Sequence, residues 1–552
     1  MAKSELVFLP LGGSGEIGMN MNLYGHGPAS DRQWIMIDCG VTFGDLTTPG
    51  IDLICPDPTY ILEERDRLLG LLLTHGHEDH IGAVALLAPE LGCPVYATPF
   101  TAQLVERKFE EADIDVDLRV IRMGSRFSLG PFDLEYITLT HSIPEPNAIA
   151  IRTELANVLH TGDWKIDRTP TLGPETDHAA LQVFAEEDVH TIVCDSTNVF
   201  SPGESGSEEG VRAALTDLIT AQKGRVVVTT FASNVSRVVS ICQAAQAADR
   251  SICLLGRSML RIVGAAQAVD LIPSDISFVE PKDAGYLPRE HVLYLCTGSQ
   301  GEPRAALSRL ARDDHPELSI SEGDTVIFSS KIIPGNEREI FDLQNQLVDL
   351  GAQIVTEKDA PIHVSGHPNR DELSQMYDWV KPKHAIPVHG EVRHLEEHAK
   401  FARTKGVAKA IAPRNGTMIR LTPGEPEIID EVPNGRWYLD GNILFPDGSY
   451  PVKERRKLGY AGLLSVAVVL DSQCSIAAPI QVFGEGVPRE TDDGEDFMAL
   501  LEEAAEDALE RLSRGKRDDD QTVENTVRRT VRTLMNEIWG KRPQVLVQLL
   551  RT

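Results

Sequence analysis

Through residues 1–200 short apolar runs alternate with polar and turn-forming clusters. The segments "ELVFLPLGG", "QWIMIDCG", "GLLLTHGH", "CPVYAT", "FDLEYITLTHS", "NAIAIRT", "NVLHTGD" and "TIVCDS" each predict a strand of about five to eight residues. Between some of them apolar residues return at helical spacing, as in "HIGAVALLAPEL" and "TAQLVERKFEEA". Several of these strands end on a His or an Asp. In an α/β fold that is where a site forms, because side chains at strand ends project into loops held over a rigid sheet.

The stretch "SPGESGSEEG", starting at Ser201, is turn-rich and marks a boundary. Beyond it "GRVVVTTFASN", "SICLLG", "HVLYLCTGSQGE" and "GDTVIFSS" read as strands, with a helix in "VSRVVSICQAAQAAD", which predicts a second, mostly parallel α/β domain. Histidines then return in "IHVSGH" and "KHAIPVHGE", so the chain is expected to re-enter the first domain. From about residue 425 the segment "TPGEPEIIDEVPNGRWYLDGNILFPDGSYPVKERRK" is rich in Pro and Gly and reads as a connection with short extended pieces. The rest combines strands ("GLLSVAVVLD", "IAAPIQVFGEG", "PQVLVQLL") with two helical patterns ("EDFMALLEEAAEDALERLSR", "TVENTVRRTVRTLMNEIWG") in a small α+β domain. The divisions expected are residues 1–205, 206–350, 351–425, a linker at 426–458, and a terminal domain at 459–552.

At 552 residues two or three domains are expected, and the composition is that of a soluble globular protein. The opening "MAKSELVFLPLGG" lacks a basic start followed by a long apolar run, and no apolar segment approaches the ~20 residues of a membrane span, so a cytoplasmic protein without membrane partners is expected. The eight cysteines form no Cys-x-x-Cys pair and read as buried thiols in a reducing compartment. A formal net charge of −30 repels nucleic acid unless basic residues are gathered locally.

The densest chemistry lies in "THGHEDH". His75 and His77, alternate residues of an extended chain, point the same way and can converge on one ion, while Asp79 and His80, past the turn, can reach a second. Two ligands do not fill a coordination shell. The chain offers more at strand ends: His141 in "LTHSIP", Asp163 in "LHTGDW" and His389 in "PVHGE". Asp163, with two carboxylate oxygens, is the natural bridge. Asp38 in "IMIDCG" is read as an anchor for the outer N–H of an imidazole.

With these residues in view, "HGHEDH" resembles the His-x-His-x-Asp-His signature of the metallo-β-lactamase superfamily. "CDSTN" at Asp195, "HVSGH" (363–367) and "PVHGE" (387–391) are similar to the added motifs of its β-CASP branch, and "LGGSGEIGMN" and "SKIIPGNE" extend the likeness to the ribonuclease J family. The resemblance implies an α/β architecture: an αββα sandwich, an inserted α/β β-CASP domain and a small α+β C-terminal domain. It implies a zinc-dependent ribonuclease with two Zn2+ per subunit, Mn2+ or Mg2+ being alternatives, that cleaves single-stranded RNA by 5′-to-3′ exonuclease and endonuclease action. His75, His77 and His141 would hold one ion, Asp79, His80 and His389 the other, and Asp163 would bridge. Asp79, Asp163, Asp195 and His367 are the catalytic candidates, with His367 protonating the leaving oxygen or binding the phosphate.

A preference for 5′-monophosphorylated RNA needs a phosphate pocket. Ser233, Asn234 and Ser236 in "TTFASNVSR", Ser299 and Gln300 in "CTGSQGE", and His363, Val364, Ser365 and Gly366 beside His367 are the expected lining. The terminal domain is expected to form a homodimer or homotetramer, and RNA-decay proteins are expected partners. Three other readings compete: a DNA-directed β-CASP nuclease, a small-molecule metallo-hydrolase of the lactamase type, and a non-catalytic RNA-binding scaffold.

Overall fold

The computed structural model describes residues 3–552, which divide into two compact units. The first unit comprises the described residues up to 42 and residues 55–436, the second residues 43–54 and 437–552.

Two sheets form the frame of the first unit. One has eight strands in the spatial order Glu427–Glu431, Thr417–Thr422, Glu5–Gly12, Met21–Gly27, Gln33–Ile37, Leu68–Leu72, Val95–Ala97 and Leu118–Val120. The other has seven, in the order Arg126–Leu129, Phe132–Thr138, Asn147–Arg152, Asn157–His160, Val189–Asp195, His384–Val388 and Lys409–Ala410. Leu6, Phe8, Tyr24, Ile35 and Leu72 of the first sheet share one core with Leu134, Tyr136, Ile149, Val193 and Ile386 of the second. The central strands are apolar on both faces because the second face is covered as well. On the outer side of the seven-stranded sheet Leu159, Ile192 and Cys194 pack against Phe184, Leu373, Met376 and Ala399 from three helices, His178–Ala185, Arg370–Val380 and Val392–Thr404. This is the expected sandwich.

The insertion is a five-stranded parallel sheet ordered Ser251–Leu255, Val292–Cys296, Val226–Thr229, Thr325–Phe328 and Gln353–Val355. Its three central strands, Val292–Cys296, Val226–Thr229 and Thr325–Phe328, are buried throughout because helices such as Val235–Ala247 and Glu337–Asp349 cover the sheet. "SPGESGSEEG" does not stay a loop: Ser207 accepts the Glu209 N–H and starts the helix Glu208–Ala221. "IHVSGH" forms no strand and runs as a loop ending at Asn369, the N-cap of Arg370–Val380.

In the second unit the strand Leu463–Leu470 alternates half-buried and buried positions. It lies between Gln481–Glu485 and Gln544–Arg551, with one face packed on the helices Phe497–Glu510 and Asp520–Ile538. The stretch read as a connection contains a helix, Tyr450–Ala461. Its Pro451, taken for a turn signal, occupies the first turn, where a missing N–H costs nothing.

Candidate metal centre

Strand ends gather the candidate residues. Gln33–Ile37 runs into Asp38 and Leu68–Leu72 runs into Thr74 and His75, side by side and parallel. In the other sheet Asn157–His160, Val189–Asp195 and His384–Val388 are parallel neighbours, with Asp195 in register with Val388, and they deliver Asp163, Asp195 and His389 to one edge. His389 sits at φ +52°, and its N–H is held by the Gly13 carbonyl while Ser14 and Gly15 pair with Gly390 and Glu391. "LGGSGEIG" thus works as a clamp on the His389 turn. The segment carrying Asp79 and His80 is pressed onto Gly40, where a Cβ would lie 1.7 Å from the Asp79 carbonyl oxygen.

Two donor clusters share only Asp163, one of His75, His77, His141 and Asp163, the other of Asp79, His80, Asp163 and His389, each with its ligand atoms within 4.8 Å of one another. A third grouping, Asp163, Asp195, His367 and His389, overlaps the second, and in it His367 Nδ1 and Asp195 are already bonded to each other. The outer ring nitrogens are already committed. His75 Nδ1 meets the Thr74 hydroxyl at 3.0 Å, and that hydroxyl donates to Asp38. His80 Nδ1 donates to Asp38 at 2.7 Å, and His141 Nδ1 donates to the Gly366 carbonyl at 2.5 Å. His389 Nδ1 donates to the Thr197 hydroxyl at 2.8 Å, which in turn donates to Asp195 at 2.7 Å. In the neutral rings this leaves Nε2 of each as a lone pair pointing inward.

These lone pairs crowd one another. His77 Nδ1 lies 3.1 Å from both His75 Nε2 and His141 Nε2. A tetrahedral ion with bonds of ~2.0–2.1 Å sets its nitrogens about 3.3 Å apart. His80 Nε2 and His389 Nε2 face Asp163 Oδ2 at 3.2 and 3.6 Å, and Asp79 Oδ2 at 3.6 and 3.1 Å. Asp163 Oδ1 is buried without a hydrogen-bond partner among the described residues. Crowded lone pairs and an unpartnered buried carboxylate oxygen are what a cation resolves, so the donor set fits one ion in each cluster.

Electrostatics divides the clusters. Burial, reinforced by neighbouring imidazoles, holds His75 and His141 well below the usual histidine range, and burial brings His77 down to about 4. Burial acts the same way on His80 and His389, but there the carboxylates, Asp163 foremost, win and raise both well above it. Burial likewise opposes ionisation of Asp79, Asp163 and Asp195, and the facing imidazoles overcome it and hold all three low.

His367 adjoins the centre. Its Nδ1 donates to Asp195 at 2.8 Å, its ring lies 5.1 Å from that of His141, and Asp195 outweighs burial to raise its pKa. Asp195 is fully buried and so acts through His367, Thr197 and His389. Thr197 and Asn198 lie in "CDSTN", but the motif assigned a role only to Asp195; the Asn198 amide donates to Ser365 Oγ at 2.7 Å and to the His367 carbonyl at 3.0 Å. Asn20, the last residue of "LGGSGEIGMN", reaches His80 Nε2 with its amide at 3.1 Å, a contact the motif did not announce.

The residues expected to line a phosphate pocket divide in two. Asn234 caps its helix by accepting the Arg237 N–H and donates to Glu208, and Gln300 bonds Lys331, Ile333 and Asn336; both side chains are committed to the protein itself. Val364 packs on Gly206, and Gly366 is pressed against His141. Ser233, Ser236, Ser365 and His363 are half-buried, and Ser299 is buried. Burial, with the Arg237 guanidinium next, pushes His363 down to about 3, and its Nδ1 has no partner among the described residues.

Comparison with known proteins agrees with this architecture. Residues 24–227 match the metallo-beta-lactamase superfamily, 223–347 the ribonuclease J beta-CASP domain, 357–413 the Zn-dependent metallo-hydrolase RNA specificity domain, and 451–552 the ribonuclease J C-terminal domain. The chain is 48% identical to ribonuclease J of Sinorhizobium meliloti over 98% of its own length and 97% of the relative's. It is 35% identical to that of Corynebacterium glutamicum over 97% and 74%. A crystal structure of a protein of unknown function from Enterococcus faecalis, 16% identical, superposes with a TM-score of 0.54 over 76% of this chain and 100% of that one, a likeness of fold. The chain belongs to the ribonuclease J family, in the β-CASP branch of the metallo-β-lactamase superfamily, and is a metal-dependent hydrolase acting on phosphodiester bonds.

Proposed function

We propose that this chain cleaves single-stranded RNA in RNA processing, as a 5′-to-3′ exonuclease and an endonuclease, with a divalent cation in each donor cluster. The observation that carries the reading is Asp163, common to both clusters, buried, and with one oxygen unpartnered. His75, His77 and His141 would hold one ion, Asp79, His80 and His389 the other, and Asp163 would be shared between them. A donor set this rich in imidazole suits zinc, while Mn2+ and Mg2+ are working alternatives. When bound, the pair of cations supplies a water that ionises near neutral pH and positive charge facing the scissile phosphate.

The chain's own residues do the rest. Asp38 fixes His80, and through Thr74 also His75. Asp195 holds Nδ1 of His367, so that Nε2 is the nitrogen left to protonate the departing oxygen. Ser233, Ser236, Ser299, His363 and Ser365 form the receptor for a 5′-terminal monophosphate, and Asn234 and Gln300 shape its turns. The outer face of the terminal sheet, with Phe483, Leu546 and Leu550 exposed, joins copies of the chain into a homodimer or homotetramer. Among the described residues no helix is long and apolar enough to cross a membrane. The eight unpaired cysteines suit a cytoplasmic enzyme, which is where RNA-decay partners would meet it.

Incubation with 5′-monophosphate RNA, 5′-triphosphate RNA, single-stranded DNA and a chromogenic lactam, in zinc or manganese, tests the reading. RNA is cut, and the monophosphate form is degraded faster from its 5′ end. Cleavage of the lactam alone, or of nothing, rejects it. Asp163→Asn loses bound metal and turnover while its circular dichroism stays native; retained activity would overturn the bridge.

A further inference from the structure

The helix Tyr450–Ala461 and the turn after the helix Asp520–Ile538 carry a feature that the metal centre does not use. At about 100° per residue, Tyr450, Lys453, Lys457 and Tyr460 fall within roughly an 80° arc of the helix. All four are exposed, Tyr450 by 70% and Tyr460 by 71%, while Val452 is buried on the opposite side. Lys541 reaches across from the turn: its Nζ lies 4.8 Å from the centre of the Tyr460 ring and 5.0 Å from that of Trp539, and donates to the Tyr460 carbonyl at 3.1 Å. Arg456 and Arg542 are exposed nearby in sequence.

Charge makes the patch unusual. The chain has 83 acidic and 53 basic residues, yet this helix carries Lys453, Arg455, Arg456 and Lys457 against one carboxylate, Glu454. Glu454 is hydrogen-bonded by the Gln544 amide and by the Tyr450 hydroxyl, and Arg455 is paired with Asp440. Exposed aromatic rings interleaved with free ammonium groups match the chemistry of a flexible polyanion with stackable faces.

We propose that the helix Tyr450–Ala461 with the Trp539–Arg542 turn is a sequence-independent track for single-stranded RNA. Bases stack on Tyr450 and Tyr460, and Lys453, Lys457 and Lys541 pair with the intervening phosphates. The two tyrosines are ten positions apart, a rise of about 15 Å, room for several nucleotides. The proposal rests on RNA being the substrate and adds a second place where that substrate is held. It also meets the difficulty set by the net charge, since binding needs a local basic stripe and not a basic protein.

The test uses the metal-loaded full chain and a fluorescent oligoadenylate made resistant to cleavage by phosphorothioate linkages. Lys453→Glu/Lys457→Glu weakens binding at least ten-fold and lowers the slope of log affinity against log salt by about 1.4, two contacts of ~0.7 each. Tyr450→Ala/Tyr460→Ala weakens binding roughly ten-fold or more, and the corresponding Phe pair restores it, because the stacking face is kept. Lys223→Glu/Lys358→Glu, the same charge change at two exposed lysines elsewhere, leaves affinity within two-fold. Melting curves check folding, and Lys453→Gln/Lys457→Gln replaces any variant that fails. Unchanged affinity in the track variants, or an equal loss in the control pair, overturns the proposal. So does a loss that accompanies a fall in mass by light scattering, which would make the patch a contact between copies. A wild-type chain that cuts no RNA but binds the probe through the track would reject the function above and leave this inference standing.

Discussion

At the level of single residues the site is a set of imidazoles whose outer nitrogens are tied down so that the inner ones converge. Thr197 is the sharpest example, because one hydroxyl accepts from His389 and donates to Asp195. Thr197→Val keeps the shape and removes both bonds. It is expected to weaken binding of the ion proposed for Asp79, His80 and His389 about 10–100-fold and to spare that proposed for the other cluster, measured by chelator competition. Equal loss at both ions would show that Thr197 does not act through His389. Gly366 is a second case: a Cβ there would lie 2.8 Å from Cε1 of His141 and 2.7 Å from Oγ of Ser142. Gly366→Ala should displace the His141 ring and cut turnover roughly a hundred-fold with the fold intact, and activity near wild type would show that the loop yields instead. The sequence made His75, His77, Asp79 and His80 legible because they adjoin, and His141, Asp163 and His389 because each closes an apolar run. It held Thr197 and Asn198 in "CDSTN" and Asn20 in "LGGSGEIGMN" without showing what they do, because their roles depend on partners up to 192 positions away. Asn234 and Gln300 were legible as turn residues, but spacing cannot say whether a turn amide serves a ligand or its own loop.

Strands and helices decide how rigidly those residues are held. The helix Arg370–Val380 begins at a capping box, with Asn369 bonded to the third helical residue and Glu372 accepting the Asn369 N–H. Glu372 is fully buried and also accepts from the N–H groups of Ile166 and Ser205 and from the Ser205 hydroxyl. One carboxylate therefore joins the segment after Asp163, the start of the insertion and the helix that follows His367. Glu372→Ala strands several buried donors at a cost of ~1–3 kcal/mol each, so urea unfolding should show a loss of about 3 kcal/mol or more. Glu372→Gln, which keeps one acceptor, should lose less. A change below about 1 kcal/mol in the alanine variant would mean that water or a shifted loop satisfies those donors. Elements of this kind were readable where burial was one-sided and periodic, as in Leu463–Leu470, or where β-branched residues ran together, as in Val226–Thr229. Tyr450–Ala461 escaped because the signals around it, "PDGSYP" and a cluster of charges, are shared by loops and by helix starts.

For the whole molecule the informative fact is that neither unit is continuous in sequence. Residues 43–54 belong with 437–552: Asp52 N–H bonds the Leu439 carbonyl at 2.9 Å, and Asp52 Oδ2 accepts the Gly441 N–H at 3.0 Å. "TFGDLTTPGIDL" shows scattered apolar residues among turn formers, and no local pattern announces a partner about 390 positions on. A composition weighted to acid says equally little about stability, because what matters is which titrating groups are buried. His160, bonded to the Tyr24 hydroxyl, and His398, held between Ser196 and Tyr377, are both buried and both held by burial at about 4. In the unfolded chain they titrate near 6.5. Between those values the unfolded state binds protons that the native state does not, so stability is fullest above about pH 6.5 and falls as the pH drops toward 4. Each such group contributes a slope approaching about 1.4 kcal/mol per pH unit. In metal-free protein His80, His389 and His367 are raised, hence protonated in both states below about 6.5, and add no slope there. The carboxylates Asp79, Asp163 and Asp195 are held low, and their stabilisation is lost only below the unfolded value near 4. Denaturant unfolding of the metal-free chain at several pH values from 6.5 to 4.5 should therefore show net proton uptake on unfolding, and His398→Gln should remove about one proton of it. A slope unchanged in that variant, or a stability that rises on acidification, would mean that these rings are charged in the native state despite their burial.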